Sequence, residues 1–387
     1  MADVFIVEAV RSAIGVGKAD RGALSGMRAD VLLSKLLSAL VERAKIDPGA
    51  ISDVVAGVVT PIGEQGYNLA RMAVLEAKWP VEVTGVTVNR MCGSSQQAIH
   101  QAAHAIMAGQ EELVVACGVE SMSRIPMGHD GLAGAKPWPP APPEYPFDFV
   151  LQGTSAELIA EKWSLSREEL DGLSLESHRR AVAARAAFAR EIVPLDVTLP
   201  SGDRKTFALD EGPREATSME KLRALPTVFK EGGVVHAGNS SQISDGAAAV
   251  LLASEAAIKR YGLKARARIV ATATAGVDPV TMLTGVIPAT RKVLARAGLS
   301  MKDIDLFEVN EAFASVVGAW QRDVGADLAK VNVRGGAIAL GHPLGASGAR
   351  LATTLLHALE DRSARYGLQT MCIGFGQATA TIVDANV

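Results

Sequence analysis

Three side chains in this 387-residue sequence have the type and the setting for covalent chemistry: Cys92, His342 and Cys372. Cys92 ends the run Val86-Thr87-Val88-Asn89-Arg90-Met91 and is followed by Gly93-Ser94-Ser95, small residues that turn a strand into a helix. A thiol at a helix N-terminus lies near unpaired N–H groups and the positive end of the helix dipole, so its pKa is expected to fall. Taken alone this is weak, because a buried cysteine is more often a small core residue. His342 stands in Gly341-His342-Pro343, a rigid non-helical frame that can hold an imidazole, although a turn histidine bonded to the backbone fits the same pattern. Cys372 precedes Ile373-Gly374-Phe375-Gly376, a turn whose N–H groups could converge on an anion.

The elements that must hold these residues alternate in type. Strands are expected at 3–8, 54–59, 86–88 and 113–117, with helices at 29–44, 68–77 and 96–108, the last closed by Gly109. Val86-Thr87-Val88 reads as a strand buried on both faces. Between Pro126 and Pro146 the chain is rich in proline and leaves the sheet; helices follow at 155–162 and 173–190, and alternation returns at 247–253. The last third predicts a helix at 287–297, a strand at 306–309, and a helix at 312–323. A strand-to-turn passage over 335–342 leads into a helix after Gly348, and a strand closes the chain at 378–383. Such alternation implies parallel sheets covered on both sides. The ends of the chain also echo one another: Cys92 then Cys117-Gly118 in one part, His342 then Cys372 in the other. An internal duplication with the site between the halves is the expectation.

Composition narrows the partners. At 387 residues and 48% hydrophobic the chain exceeds a single core, so two or more domains are expected. A net charge of −3 provides no basic field for nucleic acid, leaving room only for a local basic pocket suited to a phosphorylated cofactor. The three cysteines, Cys92, Cys117 and Cys372, close no disulfide set and include no Cys-x-x-Cys pair, which fits a reducing compartment and no metal. The N-terminal run is too short and too acidic for a signal segment, and no apolar run is long enough for a membrane span, so a cytoplasmic protein is expected.

Four motifs, in order, then become specific together: Val88-Asn89-Arg90-Met91-Cys92-Gly93-Ser94-Ser95, Asn310-Glu311-Ala312-Phe313, Gly341-His342-Pro343-Leu344-Gly345-Ala346-Ser347-Gly348 and Cys372-Ile373-Gly374. With Ala237-Gly238-Asn239-Ser240-Ser241, they make the sequence resemble the thiolase family over essentially its whole length. The resemblance implies a five-layered αβαβα core of two related α/β halves with an inserted loop domain. The halves are expected at 1–118, with 246–264 returning to the first, and at 265–387, and the CoA-binding loop domain at 119–245. It further implies a degradative 3-ketoacyl-CoA thiolase, an acyltransferase of β-oxidation and fatty acid breakdown with coenzyme A as co-substrate and no permanently bound cofactor. By resemblance Cys92 is the nucleophile, His342 its base and Cys372 the acid that protonates the leaving enolate. One oxyanion hole is expected at His342 with a water held by Asn310, the other at the N–H groups of Cys92 and Gly374. Arg214, Phe229, Ala237 and Ser241 fall at positions that meet CoA, and Phe313 would line the reacting end. Read without the family, Asn310 is a helix N-cap. Homodimers or homotetramers are expected, and a partner in a β-oxidation multienzyme complex is allowed.

Two alternatives stay open: condensation of two acetyl-CoA molecules by the same residues, and a silent acyl-CoA carrier, which would need none of the three reactive side chains. Departures from the family pattern concern specificity. Leu151-Gln152 stand where the acetoacetyl-CoA-forming branch has His-Met, which favours the degradative branch. Met282-Leu283-Thr284-Gly285-Val286 replaces a Met-Gly-x-Gly-Pro near the acyl site, which puts the acyl chain in question. The proline-rich run at 137–146 has no functional account.

Overall fold

Apolar strands and amphipathic helices alternate along the chain; among the described residues eleven strands join in one mixed sheet, and Leu195–Thr198 pairs separately with Arg204–Phe207. The computed structural model describes residues 2–131 and 146–387, so most of the proline-rich run lies outside the described residues. The principal strands are β1 (Val4–Ser12), β2 (Asp53–Gly57), β3 (Thr84–Val88), β4 (Leu113–Ser121), β5 (Ser244–Ser254), β6 (Ala267–Gly276), β7 (Leu306–Val309), β8 (Tyr366–Ile373) and β9 (Gln377–Asp384). Their order across the sheet is β7-β8-β9-β6-β1-β5-β4-β2-β3. The helices that matter here are α1 (Ala29–Ala44), α2 (Leu69–Glu76), α3 (Ser94–Met107), α4 (Gln152–Lys162), α5 (Arg167–Ala183), α6 (Val286–Ala297), α7 (Ala314–Val324) and α8 (Ser347–Asp361).

One plan is folded twice. In the first half β3 runs parallel to β2 and β2 to β4, whereas β5 lies antiparallel to both β4 and β1. In the second half a parallel bridge from Val331 to Phe307 marks the outermost position, β7 is parallel to β8, and β9 lies antiparallel to β8 and β6. Among the described residues the two ladders join through the strand pairs Phe5↔Arg268 and Ile6↔Ala267.

Side-chain patterning then stacks the layers. The leucines of α1, Leu32, Leu33, Leu36, Leu37 and Leu40, form one stripe and pack with α2 on the outer face of the first ladder. Residues of α6 and α7 pack with β7, β8 and β9 on the outer face of the second. Between the ladders, Ile99 and Ala103 of α3 share a core with Leu355 and Leu356 of α8, Val4 and Ile6 of β1, and Val250 of β5. The first thirteen residues of α8 are all buried, as a helix between two sheets requires.

Glycine makes the middle layer possible. A Cβ on Gly348 would lie 2.2 Å from the Gln96 backbone nitrogen, one on Gly118 2.1 Å from the Gly345 oxygen, and one on Gly57 2.4 Å from the Ser95 nitrogen. Ser95 Oγ also accepts the Ala349 N–H at 2.9 Å, so the two helix N-termini are bonded directly to each other. A buried ionic cluster adds a second clamp: Arg11 of β1 pairs with Glu191 (2.6 Å) and Asp210 (2.7 Å), and Glu191 also accepts from Thr354 of α8 at 3.1 Å.

Several expectations change. β3 is an edge strand, paired on one side only, and Val86 is 41% exposed rather than buried on both faces. The passage over 335–342 is a helical turn, Ala337–Leu340, and not a strand. The helix expected at 173–190 begins earlier, at Arg167, because Ser166 and Glu169 form a capping box. β6 and the first part of β8 are strands for which the sequence reading makes no assignment.

The glycine contacts yield a paired test. Gly348→Ala forces backbone against backbone and should destabilise the protein by about 3 kcal/mol, whereas Gly172→Ala, in open space on α5, should stabilise it by roughly 0.5–1 kcal/mol. Thermal unfolding of the two variants beside the parent protein checks both signs.

Candidate active site

Each reactive residue sits where a strand or loop hands over to a helix or turn. The chain leaves β3, passes Met91 in the left-handed region (φ 47°), and enters α3 two residues after Cys92. Ser94 holds that elbow: its hydroxyl accepts the Arg90 N–H at 2.9 Å and donates to the Met91 carbonyl at 2.6 Å. His342 lies five residues before the start of α8, after Gly341 at φ 109°, where a Cβ would meet Ser244 Oγ at 2.2 Å. Its N–H donates to the Gln242 carbonyl at 3.1 Å and approaches Ser244 Oγ at 3.3 Å. Cys372 is the penultimate residue of β8, and Gly374 opens the turn to β9, in which Phe375 (φ 64°) and Gly376 (φ 83°) are left-handed.

The packing of α3 against α8 brings these termini together. Cys92, Leu344 and Met371 share one small buried cluster, each next to or within two residues of a reactive position. Glu120, at the end of β4, ties the surrounding loops: its carboxylate accepts the N–H groups of Val59 (2.9 Å), Thr60 (3.1 Å) and Gly345 (2.9 Å) and the Gln65 amide (2.9 Å).

Electrostatics define the resting state. Burial pushes the Cys92 thiol up from 9.0 to about 11, outweighing the lowering by the Gly374 and Cys92 N–H groups and the Gln152 amide. The expected fall in its pKa is therefore corrected: donors at the helix start are present, but the sulfur is dry. Cys372 is pushed up as well, first by burial and then by the neighbouring charge of Cys92. Burial, with the charge of Arg350, lowers His342 from 6.5 to about 3.

The tautomer of His342 follows from its neighbours. Ser347 donates its hydroxyl proton to the Pro343 carbonyl at 2.8 Å, so at 2.5 Å from the ring it must accept the Nδ1–H, leaving Nε2 unprotonated. Asn310 Nδ2 points at that Nε2 from 3.4 Å, and Asn310 Oδ1 has no hydrogen-bond partner among the described residues. Asn310 is not the cap of the following helix; α7 begins at Ala314 with Phe313 in the N-cap position.

Comparison with known proteins matches the same framework. The family model for the thiolase N-terminal domain covers residues 4–256, and that for the thiolase C-terminal domain covers residues 263–385. The chain belongs to the thiolase family. It is 48% identical to the steroid 3-ketoacyl-CoA thiolase FadA6 of Mycobacterium tuberculosis, over 99% of this chain and 94% of that protein. It is 44% identical to a β-ketoadipyl-CoA thiolase of Acinetobacter baylyi, over 99% of this chain and all of the relative. Among solved structures, the acetyl-CoA acetyltransferase of Bacillus anthracis superposes with a TM-score of 0.91 at 37% identity, over 100% of this chain and 99% of that one. Human mitochondrial 3-ketoacyl-CoA thiolase superposes with the same score of 0.91 at 36% identity and the same coverage. The thiolase fold and an acyltransferase activity follow for this chain.

Of the residues expected to meet CoA, the structure brings Phe229, Ser241 and Phe313 near one another. Phe229 stacks edge-on against Phe313, with ring centroids 6.1 Å apart. Ser240 bridges to Phe313, and the Ser241 N–H donates to the Ala312 carbonyl at 2.9 Å. Ala237 and Arg214 are exposed, and the Arg214 N–H donates to His178 Nδ1 at 3.2 Å. Leu283 and Val286 are buried in the core that also holds Cys372, behind β8 and β9. No helix among the described residues is long and apolar enough to cross a membrane.

The sequence reading misses Gln152, Ser347 and Glu120 as parts of this site. Ser347 could be found from its place inside the His342 motif, and Glu120 from being an acid at the end of an otherwise apolar strand run. For Gln152 only its position in place of a methionine hints at a role.

A neutral resting imidazole has a measurable sign. The folded-state pKa of His342 lies below its unfolded 6.5, so the stability it contributes is present above pH 6.5 and lost as pH falls toward 3. His342→Asn removes that loss, and its stability relative to the parent should rise by about 1.4 kcal/mol per pH unit between pH 6 and 4. A constant difference in unfolding temperature over that range would show that folding leaves the imidazole pKa unlowered.

Proposed function

We propose that this thiolase is a degradative 3-ketoacyl-CoA thiolase that cleaves its substrate through an acyl-Cys92 intermediate. The observation that carries the reading is the packing of Cys92 in one small buried cluster with Leu344 and Met371, the near neighbours of His342 and Cys372, with Asn310 Nδ2 3.4 Å from His342 Nε2. The resting pair is a thiol and a neutral imidazole, so the proton leaves Sγ for His342 Nε2 only as the sulfur attacks the 3-keto carbon.

The Sγ–C3 bond forms, the C2–C3 bond breaks, and its electron pair passes to the acetyl-CoA enolate, which takes a proton from Cys372. Coenzyme A, deprotonated by Cys372 or His342, then attacks the thioester and leaves an acyl chain two carbons shorter. Asn310, with its open Oδ1 beside His342, suits the water of the first oxyanion hole. Arg214, Phe229, Ala237, Ser241 and Phe313 are taken to carry CoA, with residues 119–245 as the CoA-binding layer between halves at 1–118 and 265–387. Arg214 suits a phosphate by paired N–H donation. A degradative direction is supported by Leu151-Gln152 in place of His-Met and by relatives named for steroid and β-ketoadipyl substrates. We place the enzyme in the cytoplasm as part of β-oxidation-type breakdown.

A homodimer is part of this reading. β3 offers a free edge with Val86 exposed, and Tyr67 (93% exposed), Met72 and Leu75 surround it, an edge that a second copy of the chain can cover.

Intact-protein mass spectrometry after brief incubation with acetoacetyl-CoA and with a long-chain 3-ketoacyl-CoA, without free CoA, should reveal an acyl adduct that maps to Cys92. Cys372→Ala should still acylate slowly from a simple thioester but lose C–C cleavage by about 10²–10⁴-fold. Normal cleavage by that variant would remove Cys372 from proton transfer, and no adduct from either substrate in folded protein would favour a silent carrier.

Val86→Lys should convert the dimer to a monomer by light scattering. A monomeric parent protein at the same concentration would contradict the edge contact.

A further inference from the structure

We propose that His236 and Asp171 are a positioning pair for coenzyme A, holding residues 237–241 in the shape that takes it; this rests on the reading above that Ala237 and Ser241 meet CoA. Both side chains are fully buried. His236 Nε2 lies 2.6 Å from Asp171 Oδ1 of α5, and His236 Nδ1 accepts the Gly238 N–H at 3.0 Å. A ring nitrogen that accepts carries no hydrogen, so the proton is on Nε2 and points at the carboxylate. Asp171 thereby fixes the ring tautomer, and the ring fixes the backbone of Gly238.

The usual residue before such a turn is a serine, threonine, aspartate or asparagine, whose short side chain bonds the turn and nothing beyond it. The imidazole reaches farther. One nitrogen caps the turn Ala237–Asn239 and the other anchors it to α5. Asn239 joins the same knot, its Oδ1 accepting the His236 N–H at 2.9 Å and its Nδ2 donating to Asp171 Oδ1 at 3.2 Å. Arg167 of α5, with Nε 3.5 Å from Asp171 Oδ2, ties in a third segment by donating to the carbonyls of Leu222 (2.8 Å) and Leu225 (2.6 Å). A Cβ on Gly238 would meet the side chains of those two leucines at 2.7 and 2.6 Å, so the turn lies flat against them.

The far end of the segment is pinned separately. Ser240 bridges to Phe313, and the Ser241 N–H donates to the Ala312 carbonyl at 2.9 Å. His236 therefore decides where the near end lies, at Ala237 and Gly238. Cys92, His342 and Cys372 take their places from α3, α8 and β8, none of which this pair touches. A turn released from His236 should lose hold on CoA and leave the reactivity of Cys92 as it was.

The test compares His236→Gln, His236→Asn and Asp171→Leu with the parent enzyme. The Gln amide takes the place of Nε2 and keeps the bond to Asp171 but leaves the Gly238 N–H without its acceptor, whereas the Asn oxygen takes the place of Nδ1 and keeps that acceptor. CoA affinity is read by titration calorimetry. Acylation of Cys92 is read by intact mass, with acetyl-CoA and with the acetyl thioester of N-acetylcysteamine, which lacks the nucleotide. His236→Gln should bind CoA about tenfold more weakly, and His236→Asn should stay within about twofold of the parent, with Asp171→Leu between them. In His236→Gln, acylation by acetyl-CoA should slow at low concentration and recover at saturation, and the short thioester should react as in the parent. Unchanged CoA affinity in folded His236→Gln or Asp171→Leu overturns the proposal, as do equal losses in the Gln and Asn variants or an equal slowing with both thioesters. If the parent binds CoA but cleaves no 3-ketoacyl-CoA, the proposed function fails while the affinities still decide the role of the pair.

Discussion

The contact between the N-termini of α3 and α8 is the constraint on which the rest depends. Two helices meeting backbone to backbone need glycine or serine wherever they touch, and Gly348, Gly118, Gly57 and Ser95 occupy those points. Every reactive group is then fixed by a short path from the seam: Cys92 two residues before one helix, His342 five before the other, Cys372 on the strand beneath. Because interiors are close-packed, a shift of one helix along the other cannot be absorbed locally. It would displace Cys92 relative to His342.

The seam also explains the electrostatics. Burying three titratable groups in one small space penalises every charged form, and the helix starts supply donors that offset only part of this. Hydrogen bonds settle what burial leaves open. Ser347 fixes the tautomer of His342, and Glu120 ties loops of both halves with one carboxylate. The duplicated strand order has a functional side too, since each half supplies one helix to the seam and neither holds the reacting set alone.

Much of this was legible in the sequence, for physical reasons. α1 and β7 fall at the expected residues because a leucine stripe and a short apolar run ending in Asn310 are local signals. Cys92, His342 and Cys372 stand out in the sequence because their motifs combine rigid backbone with unusual chemistry, and the fold sets them at the ends of neighbouring elements. What failed was nonlocal. Val86-Thr87-Val88 reads the same in a central strand and at an edge, and only the neighbouring strands decide between them. The pKa of Cys92 turns on burial in a cluster that joins Val59 and Met122 to Leu344, Leu351 and Met371, the last three more than two hundred positions away. Asn310 has the look of a cap, but the chain takes three more residues to turn into α7.

The neutral pair at rest has a bearing on durability. Peroxides attack thiolates and scarcely touch thiols, so a cysteine that stays protonated until substrate arrives presents little target to them. An enzyme that kept Cys92 ionised would react faster with its first substrate and would also be consumed by oxidants between turnovers. Here the dry setting that raises the thiol pKa to about 11 keeps Cys92 in the form that oxidants spare.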